Sequence, residues 1–394
     1  MLSCQKSLFS LPDHVHYLNC AYMAPLARSV EAAGIAGIQR KRLPSTITPA
    51  MFFEESDVIR QRFARLVNGE ASRVALIPAA SYGIATVARN LPVRSGQNLV
   101  MLHEQFPSNV YSWRRLADET GATLRAVGPP AGTPRGIRWN EKLFEAIDAD
   151  TALVTLSPVH WADGTRFDLE RIGVRAREVG AAFVVDGTQS VGALPFDVQQ
   201  IRPDALICAG YKWLLGPYST GVAYFGPRFD DGVPLEENWI TRLGSEDFAG
   251  LVRYQASYQP GAARYDVGER SNFILAPMLL AALDLVLAWG PAYIQTYCAA
   301  LTRDLLREAK DLGFIVEEEN WRSAHLFGLR VPEHLPVDRL KEALTRRNIY
   351  VSTRGDAIRI SPHVYNDAAD IDILRDALQA ATKPAPSLHS TPSC

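Results

Sequence analysis

Three polar residues that could do chemistry follow two apolar runs near the middle of the 394-residue chain. Asp186 ends the run AAFVVD, Gln189 comes three residues later, and Lys212 follows shortly after the run ALICA. Lys212 lies in AGYKWLLGP, and such apolar neighbours disfavour a free ammonium ion and lower its pKa. A desolvated amine is a nucleophile, so the pattern predicts covalent amine chemistry at Lys212.

A nucleophilic lysine and an acidic partner are the groups that pyridoxal 5′-phosphate requires from a protein. The lysine forms a Schiff base with the cofactor, and the carboxylate keeps the pyridine nitrogen protonated. We therefore predict that Lys212 binds this cofactor and that Asp186 pairs with the ring nitrogen. After an amino acid displaces it, Lys212 is also the expected general base for the Cα proton.

The elements that position these residues are strands and helices in alternation. Between Val74 and Phe225, continuous apolar runs alternate with amphipathic stretches. This pattern indicates a mostly parallel sheet with helices on both faces, where ligands bind beyond the carboxyl ends of the strands. Strands are predicted at 74–77, 98–102, 152–156, 181–186 and 205–209, and a helix at 168–179.

The pattern changes after residue 272, where two long helices precede short strands and further helices. We predict a large cofactor-binding domain over 15–272 and a small C-terminal α+β domain over 273–382, with residues 1–14 packing on the latter. The Pro- and Ser-rich segment 383–394 is predicted to be a disordered tail. The apolar stretch 274–289 is short for a membrane span and contains Asp284, so we interpret it as a buried helix.

Composition excludes several classes of partner. The net charge is −2, and there is neither a long basic run nor an acidic tail, so we expect no binding to nucleic acid or membranes. The five cysteines form no CxxC pair, and the N-terminus lacks a signal-peptide pattern, which predicts a reduced, cytoplasmic protein. His14 and His16 have no second ligand cluster at suitable spacing, so no metal site is predicted.

The segments VVDGTQSVGALPFDV and AGYKWLLGPYSTG resemble the class V aminotransferase group of fold-type-I pyridoxal-phosphate enzymes. That group includes cysteine desulfurases, kynureninases, isopenicillin-N-epimerase-like proteins and several aminotransferases. The resemblance extends from YLNCAYMAPL near the start to IRISPHVYN near the end. It implies an α/β fold, with a large domain on a mostly parallel, seven-stranded type of sheet and a small C-terminal α+β domain.

The resemblance also implies roles for residues around the cofactor. Gln189 would hydrogen-bond the ring hydroxyl, and Phe106 in EQFPSN would stack on the ring face. Ala80 and Ser81 lie between a strand and a helix, where free N–H groups favour an anion, so we expect them to bind the phosphate together with Tyr211. Ser81 is also a suitable N-cap residue. Relatives often carry a hydroxyl residue at the position of Ala80, so the backbone is expected to supply part of this contact.

By the same resemblance, Arg359 in AIRISPHVYN would bind the substrate α-carboxylate, for which a guanidinium group is well shaped. Three further residues fall where relatives place groups that contact the substrate or the ring: Tyr22, His160 and Trp161. The segment ARYDVGERSNF resembles a loop that crosses a dimer interface. Ser271 and Asn272 would then touch the partner's phosphate, and the enzyme would be a homodimer with shared sites.

The sequence favours an aminotransferase that acts on an amino acid. Cysteine desulfurases carry a mobile cysteine shortly before the carboxylate-binding arginine, but YVSTRGDAIRIS contains none. Kynureninases share FPSN but usually differ around KWLLGP. Cleavage of a C–S, C–Se or kynureninase-type side-chain bond, and epimerisation, stay open as alternatives.

Two alternatives of other classes are a pyridoxal-phosphate-binding regulator or inactive homologue and a nucleotide-dependent enzyme. The first normally carries a basic helix-turn-helix region, which is not seen in this sequence. For the second, neither GxGxxG after a strand nor GxxxxGK[ST] is present.

Overall fold

The computed structural model describes residues 2–130 and 135–383. In chain order the strands and helices are β1 (His16–Tyr17), α1 (Arg28–Arg40), α2 (Glu54–Leu66), β2 (Val74–Ile77), α3 (Ala80–Arg89), β3 (Asn98–Leu102), α4 (Tyr111–Thr120), β4 (Thr123–Val127), α5 (Arg135–Glu145), β5 (Thr151–Leu156), α6 (Leu169–Glu178), β6 (Ala182–Asp186), α7 (Val198–Ile201), β7 (Ala205–Ala209), β8 (Gly221–Phe225), α8 (Leu275–Trp289), α9 (Pro291–Asp311), β9 (Phe327–Arg330), α10 (Val337–Thr345), β10 (Ile349–Tyr350), β11 (Ser352–Arg354), β12 (Ala357–Ile360) and α11 (Ala368–Thr382).

The large sheet has seven strands in the order β2-β8-β7-β6-β5-β3-β4. The neighbours from β7 to β4 pair in parallel, whereas β8 runs antiparallel to both β2 and β7. The five apolar runs predicted as strands form β2, β3, β5, β6 and β7. The predicted α/β class, with a mostly parallel seven-stranded sheet, is confirmed.

Continuous apolar strands form here because both faces of the sheet are covered. Successive side chains of β6 point to opposite faces. Phe183 therefore lies in one core with Phe63 and Trp139, and Val184 lies in the other with Trp113 and Ile207. Helices on both faces leave one edge of the sheet, at the carboxyl ends of the parallel strands, open for a ligand.

The C-terminal part contains a three-stranded antiparallel sheet, β11-β12-β9, and a parallel pair of β1 with β10. Residues 2–14 contact this part, since the Gln5 N–H donates to the Val364 carbonyl at 2.7 Å and Lys6 pairs with Asp367 at 2.9 Å. The apolar helix α8 packs against α1 and α2, and its Leu279 and Leu283 belong to a core of the large sheet. The domain boundary at residue 273 stays a prediction, and the packing of α8 runs across it.

No single helix within residues 2–130 and 135–383 is long and apolar enough to span a membrane. The helices α8 and α9 meet the length and composition criteria only as a pair bent by 69°. Of the predicted disordered tail, residues 384–394 lie outside the described part of the chain.

Candidate active site

A cavity of about 250 Å³ lies where β2, β3, β5, β6 and β7 end. These strand ends share one edge of the sheet, so residues far apart in sequence meet there. Asp186, Gln189 and Lys212 all line the cavity, as do Phe106 and Tyr211. Ala80, Ser81 and Trp161 complete the set of predicted site residues that the structure brings to this cavity.

Lys212 is buried in the turn between β7 and β8, with only 5% of its surface exposed. Backbone hydrogen bonds hold this turn, because the Leu215 N–H donates to the Lys212 carbonyl at 3.0 Å and the Gly216 N–H to the Gly210 carbonyl at 2.8 Å. The Nζ atom lies 5.3 Å from the centre of the Phe106 ring. Burial lowers the pKa of Lys212 to about 8, although the nearby Asp186 carboxylate opposes this shift. The neutral amine is therefore far more available near neutral pH than in an ordinary lysine.

Asp186 is a buried carboxylate at the end of β6. Its Oδ1 accepts a hydrogen bond from the Thr188 N–H at 3.1 Å. Burial raises the pKa of Asp186, and both Thr188 and Lys212 oppose the shift. Among the described residues no Lys, Arg or His lies within 4.0 Å of the carboxylate. A buried carboxylate needs a cationic partner, and a protonated pyridine nitrogen is one that fits.

Gln189 is held in place by three hydrogen bonds. Its Nε2 donates to the Ala21 carbonyl at 3.1 Å, and its Oε1 accepts from Trp213 Nε1 at 3.1 Å. Its own carbonyl lies 2.9 Å from His325 Nε2. Burial lowers the pKa of His325 to about 4, so this imidazole is neutral at physiological pH. One hydrogen of the Gln189 amide stays available for a ligand.

The predicted phosphate contact lies at the beginning of α3, whose first two residues are Ala80 and Ser81. The N-cap of this helix is Ala79, which gives no side-chain cap. The suggestion that Ser81 is the N-cap residue was therefore wrong, because Ser81 already lies inside the first turn. Its hydroxyl and the unpaired N–H groups of a helix N-terminus both remain suited to an anion.

Several residues that line the cavity were not predicted. Two of them, Gln105 and Ser157, are buried and each has a polar side-chain atom without a hydrogen-bond partner in the described structure. Five others bring hydroxyl groups: Ser108, in the motif EQFPSN, and the four residues Thr188, Tyr218, Ser219 and Thr220. These four lie within the motifs DGTQ and PYSTG that carried the resemblance, so their hydroxyl groups were a signal that could have found them.

Arg359 is buried in β12, with 1% of its surface exposed. One NH group donates to the Trp161 carbonyl at 2.8 Å and the other to Ser352 Oγ at 3.3 Å, while Nε has no partner. Burial lowers the pKa of Arg359 to about 9, and the neighbouring Arg354 adds to this effect. Within the described ranges no carboxylate lies within 4.0 Å of this guanidinium. A buried, unpaired guanidinium next to the cavity is suited to a substrate carboxylate.

Of the three other predicted substrate contacts, only Trp161 lines the cavity. The centre of its ring lies 5.5 Å from the centre of the Phe106 ring, and its Nε1 donates to the Glu104 carbonyl at 2.6 Å. His160 is instead fully buried, with its ring 4.9 Å from that of Trp139 and its Nδ1 3.1 Å from Asp163. Tyr22 is 59% exposed and does not line the cavity.

Ser271 and Asn272 lie away from this cavity and line another, of about 500 Å³. Ser271 Oγ donates to the Phe52 carbonyl at 2.5 Å, and Asn272 Oδ1 accepts from the Leu275 N–H at 2.9 Å, at the start of α8. Neither residue lines the cavity of its own chain that contains Lys212. Their predicted contact with a partner's phosphate stays a prediction.

The cavity thus offers groups that match each part of pyridoxal phosphate. The amine of Lys212 suits the aldehyde, the unpaired carboxylate of Asp186 suits the ring nitrogen, and the Phe106 face suits the ring. The N-terminus of α3 suits the phosphate. The residues present therefore fit this cofactor.

Comparison with known proteins agrees with this fit. The model of the family "Aminotransferase class-V" matches residues 48–374. The chain is 24% identical over 331 residues to the uncharacterized aminotransferase YcbU of Bacillus subtilis, covering 84% of each protein. It is 32% identical over 343 residues to a kynureninase of Pseudomonas fluorescens, covering 84% of this chain and 77% of the relative. The apo structure of a cysteine desulfurase from Thermococcus onnurineus has the same fold, with a TM-score of 0.81 at 20% identity over 96% of this chain and 98% of that one.

Proposed function

Because this chain belongs to the aminotransferase class-V family of pyridoxal-phosphate enzymes, we propose that it is an aminotransferase acting at the α-carbon of an amino acid. The observation that carries the proposal is the set of charges around one cavity. An amine of lowered pKa and an unpaired buried carboxylate lie at the ends of the large sheet's strands. The guanidinium of Arg359, in β12, has no carboxylate partner and donates to the carbonyl of Trp161, which lines the same cavity. These are the groups that bind the cofactor and an amino acid side by side.

Each residue then has a distinct task. Lys212 Nζ would hold the cofactor covalently and, once the amino acid has displaced it, would take the proton from Cα, for which a pKa of about 8 is well placed. When bound, the cofactor draws electrons away from the Cα–H bond. Asp186 keeps the positive charge on the pyridine nitrogen, and Arg359 binds the α-carboxylate and so orients the Cα–H bond towards Lys212.

Transamination needs only this lysine as base and room for a second substrate. A persulfide route would need a cysteine at the site, and none of the described cysteines, Cys4, Cys20, Cys208 and Cys298, lines the cavity. The second candidate function is cleavage of a side-chain bond of the kynureninase type, which the relative from Pseudomonas favours. Epimerisation is the third outcome that the same residues allow.

We also propose that the enzyme is a cytoplasmic homodimer with shared sites and an amino acid as its small-molecule substrate. The free thiols of the described cysteines support a reducing compartment. The position of Ser271 and Asn272 outside their own chain's cavity supports a role in the partner's site.

The reaction is tested by an absorbance scan of the purified holoenzyme against a panel of amino acids, with products identified by mass spectrometry. Conversion of the bound cofactor to pyridoxamine phosphate, together with a keto acid, supports the proposal. A released side-chain fragment with the cofactor returned as aldehyde would show a lyase. Racemised amino acid as the sole product would show an epimerase.

The role of Lys212 is tested by the variant Lys212→Ala. We expect loss of the visible absorbance of the covalently bound cofactor and a fall in turnover of roughly 1,000-fold, because the general base is removed as well. The matched control is Lys142→Ala, at an exposed position on α5. A yellow and active Lys212→Ala enzyme contradicts the assignment.

A further inference from the structure

A concave surface of about 710 Å³ lies apart from both cavities described above and shares no lining residue with either. It is formed by α9 together with residues 166, 319, 320, 322 and 324. Five of its lining residues are cationic: Arg166, Arg303, Arg307, Lys310 and Arg322. Glu319 is the one acidic residue in the described lining, so we name this surface the basic cavity.

The positive charges meet here because of helix geometry and a backbone contact. Arg303, Arg307 and Lys310 are spaced by four and three residues, which puts them on one face of α9. Opposite them, the Arg166 N–H donates to the Trp321 carbonyl at 2.9 Å, and an isolated antiparallel bridge joins Thr165 to Arg322. The two segments therefore hold their arginines at fixed positions beside the helix.

Few of these charges are compensated. In the described part of the chain, only Arg307 has a carboxylate within 4.0 Å, that of Asp304 at 3.0 Å on the same helix. The Nε atom of Arg322 is buried without a hydrogen-bond partner. Partial burial also lowers the pKa of Arg322, although the Glu319 carboxylate opposes this shift. Guanidinium groups that lose water without gaining an acceptor are unfavourable, and a bound anion would supply the missing acceptors.

The polar part of the lining is well ordered. Gln295 Nε2 donates to the Ala193 carbonyl at 2.7 Å and lies 2.8 Å from His325 Nδ1. The Oε1 atom of Gln295 accepts from the Ala324 N–H at 3.1 Å. The contacts with His325 and Ala324 tie α9 to the segment that carries Arg322, and the contact with Ala193 ties it to the segment after β6. The backbone beside Arg322 is therefore fixed in place, whereas the side chains of Arg303, Arg307 and Lys310 are exposed on α9.

We propose that the basic cavity binds a small polyanion with at least two negative charges, of the phosphate or polycarboxylate kind. Small-molecule sites have volumes on the order of 300–1,000 Å³, and the basic cavity lies in this range. Guanidinium groups bind phosphate and carboxylate oxygens in pairs, and the neighbouring ammonium of Lys310 adds charge. Binding at the basic cavity is separate from the proposed reaction, because none of its lining residues lines the cavity that contains Lys212.

The test is isothermal titration calorimetry of the holoenzyme with inorganic pyrophosphate and, separately, with citrate. Ionic strength is kept constant with NaCl, so that general screening does not change during the titration. The bound cofactor occupies the phosphate position near Ser81, which keeps the probe from reporting on that site. Saturable binding of either anion that weakens in Arg322→Gln supports the proposal, and the tighter of the two anions identifies the chemical kind. Binding that Arg322→Gln leaves unchanged belongs to another site, such as the carboxylate position at Arg359, and contradicts the proposal.

The variant Arg322→Gln should bind the anion at least about tenfold more weakly, since one charged pair of hydrogen bonds is lost. The matched control is Arg138→Gln, which makes the same charge change at an exposed position on α5 and should bind like the natural chain. Arg303→Gln, on the exposed face of α9, serves if Arg322→Gln does not fold. Absence of saturable binding, or equal weakening by Arg138→Gln and Arg322→Gln, overturns the proposal.

Discussion

At the scale of single residues, the reactivity of Lys212 depends on charges of both signs. Burial lowers its pKa most, Asp186 opposes this, and Arg359 and Arg354 lower the pKa further. Arg354 is held near the cavity by its contact with Trp161, whose ring centre lies 5.3 Å from the guanidinium carbon. The lysine is thus a nucleophile at neutral pH because its surroundings disfavour a further positive charge.

Substitution of Arg354 by Gln tests this account. Removal of a positive charge near Lys212 should raise the lysine pKa above its value of about 8, so that less neutral amine is present at a given pH. The measurement is the rate at which the apoenzyme binds pyridoxal phosphate, followed by stopped-flow absorbance across pH. We expect the midpoint of this profile to move to higher pH.

The control for that experiment is Arg354→Lys, which keeps the charge and should leave the midpoint nearly unchanged. An Arg354→Gln midpoint that stays in place, or moves to lower pH, contradicts the electrostatic role of Arg354.

At the scale of elements, the turn that carries Lys212 is positioned by direct contact between backbones. Gly192, in the segment after β6, has a φ of +107°, and a Cβ at this position would lie 2.2 Å from the Trp213 carbonyl oxygen. Only a residue without a side chain permits both this conformation and this approach. The distance between the segment with Asp186 and the turn with Lys212 therefore depends on Gly192.

Gly192→Ala should consequently destabilise the fold by at least about 2 kcal/mol, because backbone strain and a backbone clash add. We also expect weaker retention of the cofactor, as the turn at Lys212 has to move. Gly180→Ala is the matched control, since Gly180 has a φ of +78° but nothing within 4 Å of the added Cβ. Gly180→Ala should lower the free energy of unfolding by only about 1 kcal/mol, because it adds backbone strain but no clash.

Urea unfolding followed by circular dichroism measures both free energies, and dialysis measures cofactor retention. Equal destabilisation by the two variants, or normal cofactor retention in Gly192→Ala, would show that the close approach is not needed.

The strands that could be predicted from the sequence are those that are buried on both faces of the large sheet. Their continuous apolar runs predict β2, β3 and β7 with the bounds that the structure has. The edge strand β4 reads TLRAV and is largely exposed, so it has no such run and was not predicted. The two-residue strand β10 falls among the short strands predicted after residue 272, and β1 begins at His16 in a segment that also reads as strand-like, but stretches this short carry no periodicity that would fix their bounds.

The site could be predicted where the chemistry itself fixes the residue type, as at Asp186 and Lys212. Loops were less predictable, because neighbouring residues point in different directions. In the loop SPVHWADG, Trp161 lines the cavity while His160 turns into the core and pairs with Asp163. A motif places this loop at the site but does not decide which of its side chains faces the ligand.

At the scale of the whole molecule, the cavity that contains Ser271 and Asn272 has an apolar rim. Ile38, Trp239 and Ile274 line it and are each more than a third exposed in the single chain. Clustered exposed apolar residues of this kind mark an interaction surface. Together with the resemblance of ARYDVGERSNF, they support a symmetric dimer in which this face meets the partner.

If the sites are shared, two inactive variants should restore activity when their subunits exchange. Lys212→Ala lacks the amine. Asn272→Asp keeps an oxygen that can cap α8 but places a negative charge where the partner's phosphate is expected. A mixed dimer then contains one fully intact site and one doubly altered site. Random exchange gives half mixed dimers, so activity should rise to about a quarter of that of the natural enzyme.

The control pairs Lys212→Ala with Asp186→Asn, whose altered residues line the same cavity of one chain and cannot complement each other. Subunit exchange is verified with differently tagged chains, and activity is measured on the amino acid that the absorbance scan identifies. Recovery in the first mixture alone is the expected result, because only there can one site take Lys212 from one subunit and Asn272 from the other. If exchange is complete and neither mixture recovers, each site is built from a single chain, and Asn272 serves only to accept hydrogen bonds at the start of α8.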